Sequence, residues 1–177
     1  MKRVLLFLVV AAFGLAAQPA KPRVKRASLE AMERVFDQKV TRIADDPFLL
    51  LGQTRGIYLE GFGAVFTAEV SLASGPTINP FKQSITKEEI AQVYARKTER
   101  LPILRERMRE MMLASAASLD EVPVREEIVL GVRLLYRAYE NTHGLPAHIQ
   151  MRAQRGKLID AQLKRVALDQ VLSVQEF

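Results

Sequence analysis

The sequence predicts an α+β domain in which one antiparallel sheet is covered on one face by amphipathic helices. Three stretches carry apolar residues at helical spacing, and the two stretches between them alternate apolar and polar residues. Each alternating stretch reads as a β-hairpin, and a short C-terminal strand can complete the sheet. The alternation is one-sided in both hairpins, which is typical of a sheet with one buried and one solvated face. A sheet covered on both faces would show continuous apolar runs instead.

The chain begins with a pattern typical of a signal peptide. Lys2 and Arg3 precede an apolar run that continues to Ala17. The run is about 14 residues long, shorter than the ~20 residues needed to span a bilayer. We therefore expect residues 1–17 to be cleaved after Ala16 or Ala17, and the protein to be exported to the periplasm or secreted, without stable membrane insertion. The alternative is an uncleaved N-terminal helix that anchors an envelope protein.

The excess of basic residues lies outside the predicted domain, which spans residues 28–177. The chain has 26 Lys and Arg against 20 Asp and Glu. Two basic residues belong to the leader and four to residues 18–27, which we predict to be a disordered linker, so the domain is formally neutral. A neutral domain lacks the field that drives phosphate binding, and we expect no nucleic-acid partner. No cysteine is present, so an exported domain of this size depends on burial alone.

The first helix is predicted over residues 29–44, with Ser28 as its N-cap and Asp45-Asp46-Pro47 as its end. The hairpin that follows turns at Glu60-Gly61-Phe62-Gly63. A glycine leading a two-residue loop indicates a type II′ turn at Gly61-Phe62. This register pairs Leu59 with Ala64 and Ile57 with Phe66 on the apolar face.

Beyond a proline-bearing loop at residues 73–85, Thr86-Lys87-Glu88-Glu89 forms a capping box for a long amphipathic helix. Pro102 lies inside that helix and predicts either a kink or two helices meeting near Arg100. Alternation over residues 128–138 and 149–153 predicts the second hairpin. A third helix is predicted over residues 154–168, and residues 171–177 suggest a short closing strand.

The polar faces of the two hairpins supply the candidate ligand site. If both hairpins share one sheet, these faces adjoin and can hold an anionic or sugar-like ligand. The candidate residues are Tyr58, Glu60 and Glu69 from the first hairpin, and Arg133, Arg137, Tyr139, His148 and Arg152 from the second.

No catalytic, cofactor or metal motif stands out in the sequence. The nucleophile motif Gly-x-Ser-x-Gly, the P-loop and the dinucleotide fingerprint are absent, so we assign no catalytic residue and no cofactor. The two histidines, His143 and His148, have only Glu140 at ligand spacing, and that pair falls in a predicted loop, so no metal site is predicted.

These observations favour an exported bacterial binding or interaction module without enzymatic activity, whose partner is an envelope protein or an anionic small molecule. The alternative is a small secreted hydrolase or lyase. That alternative requires Tyr58, Glu60, Arg133 and His148 to converge in one concave pocket.

Overall fold

The computed structural model describes residues 24–42, 47–82 and 84–177. Within these residues four helices and six strands form an α+β fold, which confirms the predicted class. The helices are α1 (Arg26–Thr41), α2 (Lys87–Ser118), α3 (Arg155–Gln162) and α4 (Leu168–Val171). The strands are β1 (Leu49–Leu50), β2 (Arg55–Leu59), β3 (Gly63–Ser71), β4 (Glu127–Leu134), β5 (His148–Gln154) and β6 (Ser173–Glu176). None of the helices in these ranges has the length and apolarity needed to cross a membrane.

The strands form one sheet in the order β1–β3–β4–β5–β6. Strand β2 pairs with the first half of β3, along the same edge on which β1 pairs with its end. All neighbouring strands are antiparallel except β3 and β4, which run parallel. A parallel pair requires a long crossover, and α2 provides it. The two predicted hairpins are therefore joined side by side through their β3 and β4 strands.

The helices pack on one face of this sheet. Phe66 and Leu134 are 1% and 3% exposed and belong to the same core cluster as residues of α1 and α2. Glu69 and Arg133 alternate with them, and their side chains are 47% and 57% exposed. The predicted one-sided sheet is thus confirmed, and we call its solvated side the open face.

Helix α1 begins earlier than predicted. It starts at Arg26 after Lys25, so Ser28 is not the N-cap. The carboxylate of Glu121 accepts hydrogen bonds from the Lys25 backbone amide (2.8 Å) and the Ser28 hydroxyl (3.1 Å), and these long-range bonds fix the first turn.

The linker prediction is wrong for residues 24–27. The predicted signal peptide, residues 18–23 and the predicted helix end at 43–46 lie outside the described residues.

The first hairpin adopts a register one residue away from the predicted one. Tyr58 pairs with Ala64, and Ile57 pairs with Val65. The Phe62 amide donates to the Leu59 carbonyl (3.0 Å), and Gly61 has φ +78°. A positive φ at the third position is the requirement of a type II turn, not of the predicted type II′ turn.

Gly63 adds a second constraint on this turn. A Cβ at Gly63 would lie 1.8 Å from the Glu127 carbonyl oxygen of the neighbouring strand, so only glycine fits there. The one-residue shift moves every side chain of β2 to the opposite face. Ile57 and Leu59, predicted to be buried, are therefore 56% and 44% exposed.

Helix α2 begins with the predicted capping box. The Glu89 amide donates to Thr86 Oγ1 (3.2 Å), and the Thr86 amide donates to the Glu89 carboxylate (3.0 Å). The helix continues unbroken through Pro102, so the two-helix alternative is wrong. Pro102 and Thr98 are both exposed, and water can therefore satisfy the Thr98 carbonyl that lacks its helical donor.

The C-terminal third agrees with the prediction in order but not in length. Strand β4 ends at Leu134, before the alternation of the sequence ends, and α3 ends at Gln162 rather than at residue 168. Lys164 adopts φ +57°, and the amides of Lys164 and Arg165 donate back to Ala161 and Asp160, which ends the helix. The predicted closing strand is present as β6 and pairs with β5.

Candidate functional site

Residues of the open face lie in rows that cross the sheet, because residues paired across strands stand side by side. The charged row consists of Glu69, Arg133, His148 and Phe177. The central row consists of Arg55, Thr67, Gly131, Gln150 and Gln175. The apolar row begins with Ile57, Val65 and Val129 and ends with Arg152 and Ser173.

A hollow forms where the central row reaches Gly131. This residue has no side chain, and a Cβ built on it would meet no atom closer than the Phe66 carbonyl oxygen at 3.9 Å and Thr67 Cγ2 at 4.0 Å. The taller side chains around it enclose a cavity of about 540 Å³. That volume is within the range of small-molecule sites.

The lining of this hollow is rich in hydrogen-bond donors. The side chains of Arg55, Thr67, His148 and Gln150 make no hydrogen bond or ion pair with any residue in the described ranges, which leaves them available to a ligand. Among described residues, Glu69 is the only acidic side chain in the lining, and Arg133 Nη1 lies 3.2 Å from its Oε1. The unpaired donors therefore favour an anion.

Apolar side chains stand beside the donors. Leu51 and Phe177 line opposite ends of the hollow and are 46% and 68% exposed. Pockets that bind small molecules commonly combine apolar walls with a few polar groups that fix orientation.

Helix α1 positions the edge of the site that carries Arg55. Asp37 accepts hydrogen bonds from the Thr54 amide (3.0 Å) and hydroxyl (2.5 Å). Glu33 accepts from the Gly56 amide (2.7 Å), and Arg26 donates to the Gly56 carbonyl (2.6 Å). The backbone on both sides of Arg55 is therefore held by side chains of one helix.

Three of the predicted site residues, Glu69, Arg133 and His148, meet in the hollow. Arg152 is on the open face but belongs to the apolar row. Tyr58 is on the helix-covered face, where its hydroxyl donates to Glu126 Oε2 (2.9 Å). This difference follows from the shifted hairpin register.

The other predicted residues lie apart from the hollow. Glu60 is exposed in the β2–β3 turn. Arg137 and Tyr139 follow the end of β4, and both donate to the Pro76 carbonyl, at 2.9 Å and 2.7 Å. The four residues required by the hydrolase hypothesis do not share a pocket, because Tyr58 and Glu60 point elsewhere.

Sequence reasoning missed Arg55, Thr67, Gly131 and Gln150. The alternation already placed Thr67 on the face of the sheet away from Phe66. It also placed Gly131 among the residues of β4 that face solvent. A glycine at such a position is a signal for a hollow. Arg55 could not be assigned to this face while the register of β2 was one residue off.

Beside the sheet, Lys97 of α2 forms an ion pair with Glu140 in the segment after β4. Their side chains are 1% and 3% exposed. Burial, and then the charge of Glu140, raise the pKa of Tyr136 to about 12. The Glu140 carboxylate is already paired with Lys97. No group of three potential metal-ligating side chains occurs in the described part of the chain.

No protein family model matches the sequence, and neither a curated protein nor a solved structure matches the chain.

Proposed function

We propose that the chain is an exported, non-enzymatic binding module whose open-face hollow holds a small anionic molecule. The observation that carries this proposal is the set of unpaired donors around Gly131. Arg55, Thr67, His148 and Gln150 face a cavity of about 540 Å³ in which the one acidic side chain among described residues is already paired with Arg133. Charge-assisted hydrogen bonds to an anion are stronger than those between neutral groups.

Calorimetric titration of the full chain with sodium butyrate and with inorganic phosphate tests this proposal. We expect one of the two anions to bind at millimolar concentration or tighter. Arg55→Gln should weaken that binding about tenfold, because it removes a charge-assisted donor. The matched control is Lys157→Gln, which removes the same charge from an exposed residue of α3 on the opposite side of the sheet.

A second variant separates loss of binding from loss of folding. Gly131→Val fills the hollow, and Gly131 has no positive φ that would strain a valine. Because valine favours extended strands more than glycine does, we expect stability to rise by about 0.5–1 kcal/mol while binding is lost. Anion binding that is the same in the wild type, Gly131→Val and Arg55→Gln would refute a site at this hollow.

A protein partner is a second candidate, favoured by the tip of the loop before α2. Phe81 is 100% exposed. Asn79 and Lys82 exchange two backbone hydrogen bonds (3.0 and 2.9 Å), and Asn79 Oδ1 accepts from the Phe81 amide (2.9 Å). Lys82 also forms an ion pair with Glu89 of α2. An exposed aromatic side chain on a turn whose backbone is held by hydrogen bonds is suited to a partner's pocket, since little backbone freedom is lost on binding.

Affinity capture from an envelope extract, comparing the wild type with Phe81→Ser, tests the second candidate. A specific partner is expected to be retained by the wild type and by Ile103→Thr, which changes an exposed apolar residue of α2. It should be lost with Phe81→Ser. Equal retention by all three chains would exclude the tip as the contact.

A further inference from the structure

The open face continues from the hollow into an exposed apolar strip. Ile57, Leu59 and Phe62 are 56%, 44% and 42% exposed, and Val65 lies partly exposed beside Ile57. Val65 precedes Thr67 by two residues on the same face of β3, so the strip and the hollow are contiguous. Contiguous exposed apolar surface beside a polar site marks a surface that contacts another molecule.

We propose that the hollow and this strip form one site, and that its occupant is a single-chain anionic amphiphile such as a fatty acid. The inference rests on the proposed function and adds to it an apolar chain attached to the anionic group. The anionic head would lie over Gly131 and Thr67, between Arg55 and Arg133. The hydrocarbon chain would run over Val65 and Ile57 toward Leu59.

The dimensions and charges of the face support this orientation. Thr67 is four residue steps along β3 from Gly63, which lies beside Leu59, a distance of about 13 Å at ~3.3 Å per residue. Arg55 and Arg133 stand at the hollow, and Glu127 stands opposite Gly63 at the far end of the strip. The third arginine of the open face, Arg152, lies on β5, two strands away from Val65. Glu127 Oε2 is buried and has no hydrogen-bond partner among the described residues. A negative group at that end repels an anionic head, so the head is directed to the hollow and the chain to the strip.

Titration of the full chain with three probes tests the inference. The probes are sodium decanoate below its micelle-forming concentration, sodium butyrate, and decyltrimethylammonium, which has the same chain with a cationic head. We expect decanoate to bind at least about tenfold more tightly than butyrate, because the added methylenes leave water. Decyltrimethylammonium should bind at least about tenfold more weakly than decanoate.

The strip is tested by the double variant Ile57→Thr/Leu59→Thr, which keeps residues that favour strands but removes apolar surface. It should weaken decanoate binding about tenfold and leave butyrate binding unchanged. Ile103→Thr on α2 is the matched control and should change neither. Sedimentation velocity on the same samples reports whether two copies associate.

Equal affinities for decanoate and butyrate would overturn the amphiphile inference and leave the anion site standing. Equal affinities for decanoate and the cationic probe, or no effect of the double variant on decanoate, would also overturn it. A dimer that the double variant dissociates and that decanoate does not compete with would assign the strip to a second copy instead. Absence of binding by both acids would overturn the amphiphile inference, and absence of phosphate binding as well would refute the proposed function itself.

Discussion

Lys164 is the only non-glycine residue within the described ranges that has a positive φ, +57°. It occupies the position after the last turn of α3, where glycine is usual because a Cβ is disfavoured in the left-handed region. The Arg165 amide still donates to the Asp160 carbonyl (2.9 Å), so the termination motif is complete despite the lysine. The conformation is held by these hydrogen bonds at some cost in backbone energy.

Replacing that lysine with glycine should therefore stabilise the protein. We expect Lys164→Gly to raise the free energy of unfolding by about 1 kcal/mol, measured as a higher urea midpoint at unchanged slope. Lys164→Ala is the control, since it removes the charge and keeps the Cβ. Equal midpoints for the two variants would show that the backbone at this position is not strained.

Tyr136 gives the protein a dependence on alkaline pH. Its pKa is raised to about 12 by burial and by Glu140, whereas the unfolded chain loses this proton near pH 10. The raised pKa of Tyr136 stabilises the folded state fully below pH 10. This stabilisation is lost as the pH rises toward 12, because the unfolded state releases the proton first. We expect a loss of about 1 kcal/mol, discounted because the ring is only partly buried.

Urea unfolding at several pH values between 9 and 12 measures this loss. Tyr136→Phe also removes the hydrogen bond to the Pro146 carbonyl (2.8 Å), which lowers stability at every pH. The informative quantity is therefore the slope of the free energy of unfolding against pH between 9 and 12. This slope should be flatter in Tyr136→Phe than in the wild type. Tyr94→Phe, which removes an exposed tyrosine hydroxyl bond, is the matched control.

At the scale of elements, the buried ion pair of Lys97 and Glu140 joins α2 to the segment after β4. Lys97 also donates to the Leu135 carbonyl (3.3 Å) and lies 4.8 Å from the ring of Tyr136. Removing one partner leaves the other charge buried without compensation. We expect Glu140→Gln to lower the free energy of unfolding by about 3 kcal/mol.

The double variant Lys97→Met/Glu140→Gln removes the stranded charge and should recover much of this loss, as a double-mutant cycle measures. Arg165→Gln breaks an exposed pair with Asp160 and should cost less than about 1 kcal/mol. The single variant Lys97→Met completes the cycle, and a loss in the double variant equal to the sum of the two single losses would show that the pair is not coupled.

Elements whose signals are local were predictable from the sequence. The capping box at Thr86 and the periodicity of α2 depend on neighbouring residues alone, and both are confirmed. The start of α1 was not predictable, because it depends on Glu121, which is 93 residues from Ser28. The glycines of the β2–β3 turn are compatible with both a type II′ and a type II turn. The close contact of Gly63 with Glu127 of β4 favours the observed type II turn.

In the candidate site too, residues whose position depends on local pattern were predictable and residues whose position depends on distant contacts were not. Glu69, Arg133 and His148 lie on strands whose alternation was read correctly, and they meet in the hollow. Tyr58 belonged to the strand whose register was shifted by one residue, and it faces the helices instead. Arg55 is held in place by Glu33 and Asp37 of α1, two carboxylates that appear in the sequence only as the polar positions of an amphipathic helix.

At the scale of the whole molecule, stability should depend on one face of the sheet and binding on the other. Phe66 is 1% exposed beneath the helices, whereas Ile57 is a comparably large apolar residue on the open face at 56% exposure. Removing a buried aromatic side chain forfeits its transfer free energy and leaves a cavity. Truncating an exposed side chain away from such features leaves stability nearly unchanged.

Phe66→Ala should therefore lower the free energy of unfolding by about 3–5 kcal/mol. Ile57→Ala should change it by no more than about 0.5–1 kcal/mol, with a small loss from the strand preference for β-branched residues. Urea denaturation of the full chain measures both. A large loss from Ile57→Ala would mean that the apolar strip is covered in solution by another part of the chain or by a second copy. The open face would then be unavailable to a ligand, and the site proposed there would have to be abandoned.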